Sequence, residues 1–139
     1  VKPIPLAPVK KFHIKPEDRA RMAILDFCRL RYPELYATVI GIFNEGNRAK
    51  STNKFLYRLG LRKGASDLFF AFPKNGYHGL WMEIKKDGWK MTKSQEEHIE
   101  HQTKFIEQMV SLGYMGRIVV GVQEGIKLLD DYMRSEIRR

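Results

Sequence analysis

The chain is short of several things, and each shortage removes a class of protein. It holds a single cysteine, Cys28, so no disulfide can close within it, and that usage fits a reducing compartment. Cys28 falls on the apolar face of a predicted helix and reads as a buried thiol rather than a nucleophile. No apolar run approaches the ~18 residues that a membrane span needs. No helical stretch sets a basic face against a continuous aromatic or leucine face, as a membrane-surface helix does. A glycine-rich phosphate loop is missing, which leaves no seat for a nucleotide cofactor. His78, His98 and His101 have neither a cysteine partner nor H-E-x-x-H spacing, so they read as rim or surface histidines rather than a zinc site. There are no repeats or low-complexity tracts. A signal-peptide pattern is also missing, and the expected setting is the cytoplasm. The chain begins at Val1 rather than at a methionine, as a fragment or a processed product is expected to.

What remains is basic and well stocked with apolar residues. A chain of 139 residues that is 43% hydrophobic fits one domain with a real core. Twenty-five Lys and Arg against sixteen Asp and Glu give a net charge of +9. That balance points to a polyanionic partner, and nucleic acid is favoured over a membrane surface.

Residues 1–15 carry three of the six prolines and a small basic cluster, Lys10, Lys11 and Lys15. They are expected to form a flexible arm ahead of a single domain at 16–139. Pro16 suits the first position of a helix, with Glu17 and Asp18 at the positive end of its dipole. That helix, with Ala23, Ile24, Phe27, Cys28 and Leu30 or Arg31 inward, should run to Arg31 and stop before Pro33. Tyr36–Phe43 is apolar on both faces and reads as a central strand. A turn at Asn44–Arg48 leads to a short helix over Thr52–Leu59, ended by Gly60. Two strands follow, joined by a loop at Pro73–Tyr77. Ser94 and Glu97 match a capping box opening a long helix to about Gly113, with Gln95, Ile99, Gln102 or Thr103, Ile106, Met109 and Val110 inward. A strand at Tyr114–Val122 and a helix from Gln123 to about Arg138 close the chain. The order α-β-α-β-β-α-β-α predicts an α/β domain, a small mixed sheet flanked by helices.

The chemistry concentrates on the middle strands. Leu68, Phe70 and Phe72 alternate with Asp67, Phe69 and Ala71, and Leu80, Met82 and Ile84 alternate with Trp81, Glu83 and Lys85, the period-2 pattern of strands with one buried face. If the loop spans Pro73–Tyr77, Phe72 pairs with His78 and Asp67 falls opposite Glu83, while the apolar faces coincide. A one-residue slip would flip one strand and destroy that agreement. Two carboxylates and a lysine on one face of a basic protein suit phosphodiester hydrolysis. The reaction needs a cation to stabilise growing charge and a more acidic water, and hard cations take carboxylate oxygens. Asp67 and Glu83 can each supply an oxygen and the Ile84 carbonyl a third, while Lys85 can hold the attacking water or the scissile phosphate. The plainer reading is an exposed Asp and a Glu-Lys pair on the solvated side of a hairpin. Against it stand the apolar flanks, Gly64, which permits a close backbone approach, and Gln95, an inward amide that needs a partner. Phe69 and Trp81 share the acids' face and are expected to wall the metal on one side.

With these residues in view, the chain resembles a known family. G-x-x-D (Gly64 to Asp67), G-L-x-x-E-x-K (Gly79 to Lys85), S-Q (Ser94, Gln95) and G-Y (Gly113, Tyr114) look like the VRR-NUC domain, the virus-type replication-repair nuclease branch of the PD-(D/E)XK superfamily. P-x-L at Pro33, N-E-G-N-R at Asn44 and R-L-G-L-x-x-G at Arg58 are similar to its stand-alone phage and bacterial members. The resemblance spans roughly 17–133. It implies a restriction-endonuclease-like fold and DNA cleavage dependent on Mg2+ or Mn2+. Asp67 and Glu83 are then metal ligands, Lys85 the catalytic lysine and Gln95 an active-site helper. Stand-alone members are similar to Holliday-junction resolvases acting as homodimers in DNA repair and recombination, in bacterial or phage-infected host cytoplasm. A nuclease of flaps, linear or single-stranded DNA and a non-catalytic DNA-binding module are the rival readings. The chain departs from the family at Ser66, where proline is common, and at Arg21, where glutamine often stands. An early acid is frequent in the family's first helix, and Glu17 matches it, although helix-dipole complementation explains Glu17 and Asp18 equally well.

Arg48, Lys50, Lys54, Arg58, Arg62 and Lys63 lead towards Asp67, and Lys86, Lys90 and Lys93 follow the second acid-bearing strand. Their expected role is to contact DNA phosphates, a term that falls steeply with salt; a solvated helix face is the alternative. Trp89 stands among the second group, placed to stack on an unpaired base or to pack within the protein.

Overall fold

The computed structural model describes residues 3–4, 13–43 and 50–134, without the side chains of 50–52. Most of the expected arm, the turn at 44–48 with Arg48, the side chain of Lys50 and the end of the last helix lie outside the described residues. The elements are α1 (Pro16–Arg31), α2 (Pro33–Tyr36), β1 (Val39–Gly41), α3 (Lys50–Arg58), β2 (Leu68–Phe70) and β3 (Leu80–Lys85). A 3-10 turn (Lys93–Gln95), α4 (Glu96–Ser111), β4 (Met115–Val120) and α5 (Gly121–Arg134) follow. They form one four-stranded mixed sheet in the order β1-β2-β3-β4. The first two pairings are antiparallel and β3 runs parallel to β4. This is the small mixed sheet flanked by helices expected of the chain.

The two faces of the sheet differ in chemistry. Leu68, Phe70, Leu80, Met82 and Ile84 point to one side and meet Ile24 and Cys28 of α1 and Leu129 and Tyr132 of α5 in a continuous buried core. Burial pushes the Cys28 thiol up to about 12, so it packs as a small apolar group. On the opposite side Phe69 stacks on Trp81 with centroids 4.3 Å apart, and Trp81 meets Phe105 of α4 edge-on at 4.9 Å. That is the side of Glu83 and Lys85, and α4 covers it.

The β2–β3 register is the expected one: Leu68 pairs with Met82 and Phe70 with Leu80. The ladder stops there, however, and the expected Phe72–His78 pair does not form. Lys74 bridges Tyr77 instead, across a turn in which Asn75 (φ 53) and Gly76 (φ 81) take left-handed backbone, as tight hairpin turns require. His78 turns away to donate its N–H to the Gly113 carbonyl at 2.9 Å. The tip is fastened to α5, where Asn75 Nδ2 donates to the Tyr132 carbonyl at 2.8 Å and the Tyr132 hydroxyl donates to the Phe72 carbonyl.

Several local expectations are corrected. Tyr36–Phe43 is not a central strand: Tyr36 ends α2, β1 has three residues, and it lies at the sheet edge. Ile40 and Phe43 are exposed, so apolar character on both faces here does not mean burial. Leu30 and Arg31 are both exposed, and the buried positions of α1 are Ala20, Ile24 and Cys28. Val110, placed on the inward stripe of α4, is exposed as well. The capping box lies earlier than Ser94 and Glu97; it is formed by Thr92 and Gln95, and a 3-10 turn precedes α4. The final helix begins at Gly121, directly after β4.

Candidate active site

The site is built where the first residue past the β1–β2 pairing meets the end of β3. Asp67 precedes β2, and its carbonyl accepts the Ile42 N–H at 2.8 Å and Arg21 Nη2 at 3.0 Å. Its N–H donates to Glu83 Oε2 at 3.0 Å, while its own Oδ2 accepts the Ile84 N–H at 2.8 Å. Each acid is therefore positioned by the backbone beside the other. Lys85 Nζ lies 3.6 Å from Glu83 Oε1 and 5.4 Å from the centroid of the Trp89 ring. The structure thus brings Asp67, Glu83 and Lys85 to one cleft of about 100 Å³, lined also by Glu17, Trp89, Gln95, His98, Ile99 and Gln102.

Burial sorts the three groups. The Glu83 and Lys85 side chains are 4% and 8% exposed, whereas Asp67 keeps 20%, so Asp67 is the open side of the pair. Desolvation, and then the negative charge of Asp67, push the Glu83 carboxyl up to about 8, with Lys85 pulling the other way. A buried acid in that state is short of positive charge. The donor set suits a hard cation: two carboxylates held side by side, with the backbone of Ile84 against Asp67. Oxygen donors of this kind fit magnesium or manganese better than zinc. Among the described residues no group of three or more His, Cys, Asp and Glu stands in position to hold a metal. Glu17 lines the same cleft as the two acids.

Two side chains matter more than the sequence indicated. Gln102 of α4 is 4% exposed and donates Nε2 to Glu83 Oε1, with Nε2 also 3.2 Å from His98 Nε2. Its Oε1 is buried without a partner. Gln95 lines the cleft, but its Oε1 accepts the Thr92 N–H at 3.3 Å in the capping box; the amide that touches an acid is that of Gln102. Arg21, besides its bond to the Asp67 carbonyl, places Nη1 3.9 Å from Asp67 Oδ1. The stripe positions of Gln102 on α4 and Arg21 on α1 were the available signals, and each gains meaning only when its helix is packed on the sheet.

Lys54 and Arg58 are exposed on α3, and Lys86, Lys90 and Lys93 are exposed on the connection between β3 and α4. Arg62 donates to the Tyr57 and Leu61 carbonyls at 3.2 and 2.9 Å, finishing the end of α3. Lys63 approaches Glu97 at 3.9 Å. Gly64 makes the expected close approach: a Cβ there would lie 2.4 Å from the His101 carbonyl oxygen. Among the described residues no helix is long and apolar enough to cross a membrane.

The fold is shared with a solved structure described as "VRR_NUC domain protein", with a TM-score of 0.68 at 21% identity over 92% of this chain and 99% of that one. Another, described as "VRR_NUC domain", aligns with a TM-score of 0.51 at 20% identity, covering 86% of this chain and 99% of the other. At such identities the likeness is one of fold. No family model and no curated protein matches the chain.

Proposed function

We propose that this chain, which has the fold of VRR_NUC domain proteins, is a divalent-metal-dependent DNA endonuclease of the PD-(D/E)XK type. The observation that carries the reading is the meeting of Asp67, buried Glu83 and Lys85 in one cleft of a chain with net charge +9. Clustered acids would repel a phosphate backbone unless a cation lay between them, so a binding module gains nothing from them.

Asp67, Glu83 and the Ile84 carbonyl are the groups that would hold Mg2+ or Mn2+. Such an ion supplies charge stabilisation at the scissile phosphate and a more acidic water. The chain's own residues do the rest. Lys85 presents its ammonium to the phosphate and orients the attacking water from the same face as Glu83. Gln102 Nε2 donates to the Glu83 carboxylate, and Arg21 fixes the Asp67 backbone, so neither acid has to reorganise when substrate arrives. Lys54, Arg58, Lys63, Lys86, Lys90 and Lys93, with Arg48 and Lys50, grip phosphates on either side of the cut.

Among substrates we put the four-way junction first, cut on opposing strands by a homodimer; this follows from the motif resemblance to stand-alone members. A nuclease of flaps, linear or single-stranded DNA is the second reading, favoured by an exposed aromatic residue, Phe43, at the edge of the acids.

The test is a cleavage panel of four-way, flap, linear and single-stranded DNA with Mg2+, Mn2+ or chelator, run with wild type, Asp67→Ala and Lys85→Ala. Cutting by wild type alone, and only with metal, is the expected outcome. Inertness of wild type on every substrate would leave a binding module. Cutting restricted to flaps or ends would keep the enzyme and discard the junction.

A further inference from the structure

Phe43 is 74% exposed, yet its ring is held. The Arg21 guanidinium sits 4.5 Å from the ring centroid, and the same Arg21 donates to the Asp67 carbonyl. An aromatic platform is thereby fixed one side chain away from the acids. Phe43 and Ile42 line the small hollow that opens on Asp67 and Ile84. They also line a groove of about 400 Å³ shared with Leu61, Arg62, Trp81 and Phe105. Arg62 in turn belongs to an adjoining cleft lined with Lys63 and Lys104. The order from the acids outward is thus an aromatic groove and then a cationic rim.

That order matches the parts of a nucleotide. A base offers a flat face that stacks on aromatic rings whatever its sequence, and its phosphates seek the cations. A base within a paired stack has no face to offer, whereas an unpaired one does. A second copy of this chain is the competing occupant. It would bring another net charge of +9 against a groove whose charged residue, Arg62, is itself a cation. We infer that Phe43 and its groove receive one unpaired nucleobase beside the phosphate that is cut, so that the preferred DNA carries at least one unstacked nucleotide at the cleavage position. This rests on the nuclease reading.

Two end-labelled duplexes, identical but for one unpaired nucleotide at the cut, give the test. With Mg2+, the cleavage rate ratio should favour the unpaired substrate by about tenfold in wild type. It should fall close to one in Phe43→Ala and be restored in Phe43→Trp. An aminopurine placed as the unpaired base should change its fluorescence on binding to wild type and to Asp67→Ala, but not to Phe43→Ala. The fluorescence readout stands apart from cutting, so inertness of wild type on both duplexes sinks the nuclease reading while the groove is still judged. A ratio unaffected by Phe43→Ala, or an aminopurine signal that does not need Phe43, overturns the inference. So does a sedimentation shift from dimer to monomer in Phe43→Ala, which would assign the groove to a second copy.

Discussion

Gln102 donates its amide hydrogen to Glu83 Oε1 across the interface between α4 and the sheet, while its own Oε1 is buried with no partner. A buried amide left half satisfied costs stability, and such an arrangement persists where the satisfied half has a use. Here that use is to hold a buried carboxylate in one orientation. Gln102→Met keeps the volume and removes the donor. Metal-dependent cleavage, or metal affinity measured by calorimetry, should fall by roughly 10–100-fold, the range seen when a group orienting a metal ligand is lost. Unchanged values would make Gln102 a packing residue.

The raised pKa of Glu83 gives the metal-free protein a pH dependence with a definite sign. A carboxyl whose folded-state pKa exceeds its unfolded value binds its proton more tightly when folded. Its contribution to stability is therefore full below pH 4.5 and is lost as pH rises through about 8. Thermal melts in chelator should show wild type losing stability across that window relative to Glu83→Gln, which carries no such proton. Parallel curves for the two proteins would contradict the burial of an ionisable Glu83.

Metal should reverse that loss. A ligand that binds only the folded state stabilises it, by about 2.7 kcal/mol at a hundredfold excess over Kd. Mg2+ or Mn2+ added at pH 8 should raise the melting temperature of wild type and leave Asp67→Asn unmoved. Chelator should stop cleavage, and restored metal should bring it back. An equal thermal shift in Asp67→Asn would place the cation elsewhere.

Gly64 sits at φ +79, and a Cβ there would lie 2.4 Å from the His101 carbonyl oxygen. Left-handed backbone alone costs a residue with a side chain about 1–2 kcal/mol, and the contact is with backbone that cannot swing aside. Gly64→Ala should lower unfolding stability by about 2 kcal/mol or more, read from urea midpoints. It should also impair cleavage, because the displaced segment leads straight into Asp67.

The strands that carry the acids were legible because their alternation is strict and both apolar faces agree in a single register. Asp67, Glu83 and Lys85 could be placed on one face from that alone. Tyr36–Phe43 misled because periodicity reports side-chain polarity and not neighbours; Ile40 and Phe43 are apolar and exposed on an edge strand. The S/T-x-x-E/Q pattern fits both Ser94–Glu97 and Thr92–Gln95, and a local pattern cannot choose between overlapping registers. Arg21 and Gln102 stayed hidden for a different reason. One reaches Asp67 across 46 positions of chain and the other reaches Glu83 across 19, so their roles arise from helix packing.

The strand that bears Glu83 and Lys85 lies between a neighbour made before it and one made well after it, β4, and the hairpin tip is tied to Tyr132 of α5. During synthesis the cleft therefore cannot be finished until β4 and α5 have followed the acids out of the ribosome. A chain stalled before β4, or clipped ahead of Tyr132, holds both acids without the frame that sets their spacing.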